Sequence, residues 1–152
     1  LLDWPTAKKI PWEVVLLFGG GVSLAGVFKV SGLSAAVAQG LTGLAGLPTV
    51  LLVAIIALSV TFLTEVTSNT ATTTILMPVL AAFSEATGIS AELVMIPAVL
   101  SASCAFMLPV ATAPNAIVFG TGRVTMSTMA RTGFALNLLG AALVTLWVLV
   151  RY

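Results

Sequence analysis

The chain has 152 residues, 59% of them hydrophobic and only 7% charged, with a formal net charge of +1. A water-facing surface needs about 25% charged residues, so this composition excludes a soluble domain, and the lack of a basic patch gives nucleic acid no footing. Mean hydropathy is +1.17, and the short alternating segments of a membrane barrel are absent, which leaves an all-α integral membrane protein crossing a lipid bilayer several times.

Residues 1–30 are expected to hold an interfacial loop and a first transmembrane helix. Trp4 and Trp12 suit the membrane–water boundary. Pro11 and Glu13 fit a helix start, and Gly19, Gly20 and Gly21 offer a close-packing surface. The chain begins at Leu1, without a methionine and inside a polar segment, so a piece of a longer polypeptide is expected. No signal-peptide pattern opens it. Residues 31–46 carry Leu33, Val37, Leu41, Leu44 and Leu47 at helical spacing, opposite a face of Ser, Ala, Gln, Gly and Thr. This fits a connector helix lying along the interface.

Residues 47–86 are two apolar runs around a polar tip, Thr64 to Thr74. One continuous helix of about forty residues at about 1.5 Å each would overshoot a bilayer core of about 30 Å. A re-entrant hairpin is expected instead, with Pro78 absorbed as a local kink. Residues 84–92, with Glu85, Gly88 and Glu92, read as an exposed loop. Residues 93–122 read as a span broken in its middle, because Pro109, Pro114 and Asn115 cannot continue a regular helix. Arg123 and Arg131 fall in the next loop, and residues 131–150 form the last transmembrane helix. Placing Lys8, Lys9, Arg123 and Arg131 in the cytoplasm leaves Lys29 and Arg151 outside, an orientation consistent with this connectivity.

The lone Cys104 cannot form an internal disulfide, and with no histidine in the chain no Cys/His metal set exists; it reads as a small buried residue. The two polar breaks are the candidate site. Polar backbone at bilayer depth survives only when buried in protein or facing a wet cavity. Thr64, Thr67, Ser68, Asn69 and Thr70 on one break, and Thr112 and Asn115 on the other, offer neutral oxygens. Helix N-termini left by such breaks favour an anion, and carbonyls at the C-terminal ends suit a hard monovalent cation such as Na⁺. Glu65 is the one acid at depth, read as capping nearby hydroxyls or pairing within the fold rather than carrying a proton. Thr72, Thr73 and Thr74 read as hydroxyls bonded back to the preceding turn.

The runs Thr64-Glu65-Val66-Thr67-Ser68-Asn69-Thr70 and Leu108-Pro109-Val110-Ala111-Thr112-Ala113-Pro114-Asn115-Ala116 resemble motifs of the divalent anion/sodium symporter family. The first is similar to its Ser-Asn-Thr hairpin tip, and the second to its Ala-Thr-Pro-Pro-Asn break. Ala113 stands where the family usually has proline. The resemblance implies one half of an inverted-repeat transporter, the C-terminal repeat, with the N-terminal repeat as a missing partner. It implies a homodimer in the cell membrane that moves by an elevator mechanism. Substrate contacts are then expected at Ser68, Asn69, Thr70, Thr112, Pro114 and Asn115. A sodium site is expected around Thr64, Thr67, Asn69 and Ala111, largely through backbone oxygens. The implied activity is sodium-coupled transport of di- or tricarboxylates or another divalent anion, with Na⁺ as coupling ion, no covalent cofactor and no enzymatic chemistry. A sodium-independent dicarboxylate exchanger and a structural membrane subunit without a substrate site are the alternatives.

Overall fold

A computed structural model describes residues 3–8, 10 and 12–152. The expectations placed on Lys9 as a cytoplasmic charge and on Pro11 as a helix start lie outside the described residues. Regular structure is helical throughout, with no strand among the described residues. A short turn, α1 (Trp4–Ala7), leads into α2 (Trp12–Val30), and the Trp12 indole N–H donates to the Ala7 carbonyl at 2.9 Å. Lys29 lies in the last turn of α2, where the carbonyl-rich helix end favours a cation.

Gly32, at φ 76°, turns the chain into α3 (Leu33–Leu41), which tightens into a 3-10 turn over Thr42–Gly46. The leucine stripe does not enter the protein as one face. Ser34 and Ala38 are buried, Leu33 and Val37 stay exposed, and Leu41 and Leu44 pack partly against the core. Small side chains let α3 lie on α5 (Asn69–Thr87), which follows α4 (Thr49–Thr64) after a short turn. Along α4, Val53, Ala57, Val60, Thr61 and Thr64 are buried at helical spacing. Pro78 sits inside α5.

The loop after α5 is shorter than the sequence suggests. Helix α5 continues through Thr87 and ends on Gly88, whose φ of 72° is the left-handed geometry of a helix stop; its N–H donates to Ser84 O at 2.9 Å. Helix α6 (Ala91–Ala102) begins directly after Ser90. Ala38, Leu52, Leu80, Phe83, Val94 and Ala98 form the core where α3, α4, α5 and α6 meet.

Residues 103–112 are irregular, then α7 (Ala113–Gly120) and α8 (Met126–Arg151) complete the chain. The unwound stretch therefore starts earlier than Leu108 and ends before Pro114. Pro114 falls in the first turn of α7, where its missing N–H would have had no helical partner. Helix α8 also starts earlier than expected and takes Arg131 out of the loop and into the helix. The Thr125 hydroxyl accepts from Thr128 N–H at 3.2 Å and caps this start. Replacing Thr125 by alanine is expected to cost about 1 kcal/mol, read as faster amide exchange confined to the first turn of α8. Among the described residues α8 alone is long and apolar enough to cross a membrane by itself; α4 and α6 are shorter apolar helices.

Its buried residues, Met129, Gly133, Asn137, Ala141, Thr145 and Val148, form one stripe at helical spacing. That stripe packs on α4 and α6. Gly133 is the close-approach glycine among the described residues: a Cβ there would stand 2.3 Å from the Phe106 carbonyl oxygen. At Gly19 and Gly20, expected to be a packing surface, a Cβ would meet nothing of this chain within 4 Å.

Candidate functional site

Two helix interruptions face each other across a cleft of about 530 Å³. One wall is Val66, Thr67, Ser68, Asn69 and Thr70, between α4 and α5; the other is Val110, Ala111, Thr112 and Ala113, ahead of α7. The tip is short because it closes on itself. The Thr67 hydroxyl donates to Leu63 O at 2.8 Å and lies 2.6 Å from the Thr72 hydroxyl. The Thr64 hydroxyl, fully buried, is shared between Asn69 Oδ1 at 2.5 Å and the Ala102 carbonyl at 3.0 Å. Thr73 and Thr74 bond back to the carbonyls of Asn69 and Thr70 at 2.8 and 2.7 Å, whereas Thr72 turns to Thr67.

Of the residues singled out from the sequence, Thr67, Ser68, Asn69, Thr70, Ala111 and Thr112 line this one cleft. Thr64, Pro114 and Asn115 do not line it. Thr64 lies beneath the tip, and the Asn115 amide is turned inward, donating to Ala105 O at 2.9 Å and Leu108 O at 3.0 Å. Val66 and Val110 line it as well, 71% and 81% exposed, so the cleft carries apolar edges that the polar motifs did not announce.

Both walls present a helix N-terminus. Ser68 precedes α5 in extended conformation and makes no side-chain cap, so its hydroxyl does not take up the first amides of that helix. Thr112 does cap α7, accepting from Asn115 N–H at 3.3 Å. Ala113 takes the first helical position there, and unlike proline it carries an N–H. Helix N-termini attract negative charge through these amides and the helix dipole. Among the described residues no lysine or arginine lines the cleft, so attraction for an anion would have to come from amides and hydroxyls. Cation-binding capacity comes from neutral hydroxyl and carbonyl oxygens, which suit a hard ion. Among the described residues no group of three or more His, Cys, Asp or Glu could hold a metal ion.

Glu65 supplies the part of the site that the sequence did not disclose. Its carboxylate is 3% exposed and accepts four N–H bonds. Oε1 accepts from Phe106 N at 2.7 Å, Met107 N at 2.8 Å and Asn137 Nδ2 at 2.7 Å; Oε2 accepts from Leu108 N at 3.0 Å. Asn137 Oδ1 also accepts from Phe106 N at 3.2 Å. The acid thus pairs within the fold, with three backbone amides and the Asn137 side-chain amide rather than with hydroxyls. It accounts for the unwinding after Ser103: amides of residues 106–108, released from helix bonding, find a side-chain acceptor. Asn137, fully buried in α8, was legible in principle, because an asparagine in an apolar span is costly unless satisfied.

Residues 1–151 match the family model described as "Sodium:sulfate symporter transmembrane region". The chain is 47% identical over 146 residues to the sodium-dependent dicarboxylate transporter SdcS of Staphylococcus aureus strain USA300, and equally to that of strains NCTC 8325 / PS 47 and COL. The match covers 96% of this chain and 28% of each relative, so the chain spans little more than a quarter of the length of these curated relatives.

Proposed function

Because the chain belongs to the sodium:sulfate symporter family, a family of membrane transporters and not of enzymes, we propose that it forms one half of the translocation site of a sodium-coupled divalent-anion transporter. The observation that carries this reading is the meeting of two chain breaks, each ending in a helix N-terminus, at one cleft lined by Thr67 to Thr70 and Ala111 to Ala113. The substrate class we favour is a dicarboxylate, on the strength of the relatives' name.

In this reading α4 and α5 form a re-entrant hairpin, while α6 and α7 form one span broken at 103–112. The connector at 31–46 lies along the interface, with Leu33 and Val37 turned outward. Ser68, Asn69, Thr70 and Thr112 meet a substrate carboxylate, and Pro114 and Asn115 fix the wall behind them. Thr64, Thr67, Asn69 and Ala111 surround a sodium ion. Thr64 does so through its carbonyl, since its hydroxyl is engaged with Asn69 and Ala102. A second, inverted repeat supplies the opposite side of the substrate, against which the exposed Val66 and Val110 pack. The assembly is a homodimer working by an elevator movement.

Sodium binding first would order the tip, and the dianion would then meet a set of amides already aimed at it. The test is uptake of labelled succinate into proteoliposomes holding the natural gene product that carries these residues. Uptake driven by an inward sodium gradient and abolished by replacing sodium with choline is expected. Equal uptake in both conditions would favour a sodium-independent exchanger.

A further inference from the structure

We infer that Asn137 and Glu65 are positioning residues of this cleft, which together set where the 110–112 wall stands opposite the Ser68–Thr70 wall. The inference rests on the transport reading above. Neither side chain lines the cleft, and both are buried, at 0% and 3% exposure. Yet Glu65 belongs to the same tip as Ser68, and its carboxylate holds the amides of Phe106, Met107 and Leu108 in the opposite wall's approach. From Leu108 the chain of bonds continues: its carbonyl accepts from Ala111 N at 3.1 Å and from Asn115 Nδ2 at 3.0 Å. One carboxylate therefore ties the two walls together with no side chain reaching across the cleft.

Asn137 fixes the rotation of that carboxylate. Its Nδ2 donates to Glu65 Oε1 at 2.7 Å, while its Oδ1 accepts from Phe106 N, so it grips both the acid and the backbone that the acid holds. Gly133, one helical turn earlier on the same face of α8, lets the Phe106–Met107 backbone lie against the helix. Groups that orient ligand-bearing atoms from behind shift ion affinity about 10- to 100-fold when removed, even though they touch no ion.

The test compares the natural gene product with Asn137→Ala, Asn137→Asp, Glu65→Gln and the double variant Glu65→Gln/Asn137→Asp. Half-saturating sodium and succinate concentrations are read, with maximal rate per folded molecule and amide exchange of residues 104–112. Asn137→Ala is expected to raise half-saturating sodium about tenfold and to speed exchange in that segment, with maximal rate per folded molecule within about threefold. Asn137→Asp sets two carboxylates against each other and is expected to be worse. The double variant restores one carboxylate and one amide, and should return sodium affinity to within a few-fold of the parent.

Should Asn137→Ala fail to fold, Glu65→Gln carries the test. It keeps the volume and one oxygen, loses the bond to Leu108 N, and is expected to raise half-saturating sodium several-fold. Half-saturating concentrations within twofold of the parent, with faster exchange at 104–112, would assign the pair a purely structural role and overturn the inference. A parent with no sodium-driven uptake would instead overturn the transport reading, and this inference with it.

Discussion

Replacing Gly133 by alanine is expected to destabilise the protein by about 3 kcal/mol, at the upper end of what overpacking costs. The new methyl would stand 2.3 Å from Phe106 O, 2.5 Å from its carbonyl carbon and 2.6 Å from Met107 Cα. All three are backbone atoms, so no side-chain rotation relieves the clash. Either α8 or the 106–107 segment must move, and that segment is fixed by its own two amides and the next one, of Leu108, on Glu65. The same change at Gly20 meets nothing within 4 Å and should lie within about 0.5 kcal/mol of the parent, or stabilise slightly through better helix propensity. Thermal unfolding of both variants in one detergent makes the comparison. Equal midpoints would mean that α8 does not seat against the break as described.

Replacing Asn69 by alanine is expected to lower uptake about 100-fold with little loss of folded protein. Asn69 opens α5, lines the cleft, and holds the Thr64 hydroxyl through its side-chain oxygen. On the proposed transport reading, removing the amide takes away a contact to the substrate or ion; it also leaves Thr64 with only the Ala102 carbonyl. Two such bonds at about 1–1.5 kcal/mol each give a factor of that order. Thr73→Ala is the control. Its hydroxyl only bonds back to the preceding turn, so uptake within about twofold is expected. Undiminished uptake by a well-folded Asn69→Ala protein would favour the structural-subunit alternative, in which the polar breaks merely pack.

The class of molecule was legible because charge scarcity and long apolar runs are properties of composition. The family was legible because its two motifs are local: Ser68-Asn69-Thr70 and Ala111-Thr112-Ala113-Pro114-Asn115 can be read without knowing what they touch. The helix ends were less so. Pro114 and Asn115 look like helix breakers in isolation, yet proline is at home in a first turn, and the Asn115 side chain is spent on carbonyls of the preceding break. The true start of the unwinding, at Ser103, depends on an acid far away in the chain. Glu65 could be recognised as costly at depth, but nothing local says that its partners are the amides of residues 106–108. Gly133 was hidden for the same reason, and Asn137 showed only as a costly polar residue in an apolar span: the meaning of both lies in what α8 packs against. The glycine run at 19–21 is conspicuous in the sequence, whereas Gly133, whose Cβ position meets backbone, stands alone among ordinary residues.

The two breaks differ in when they can be completed during synthesis. The Thr67 bonds in the 65–68 turn come from its own neighbourhood, so that part can take shape as soon as α5 has left the ribosome. The 103–112 segment finds Glu65 already made, but Asn137 and Gly133 arrive only with α8. A nascent chain halted after Gly122 would hold the carboxylate and its three amides without the asparagine that fixes their rotation. Helix α8, made after both breaks, is therefore the element that finishes a wall laid down earlier in the chain, and the cleft cannot be complete before it.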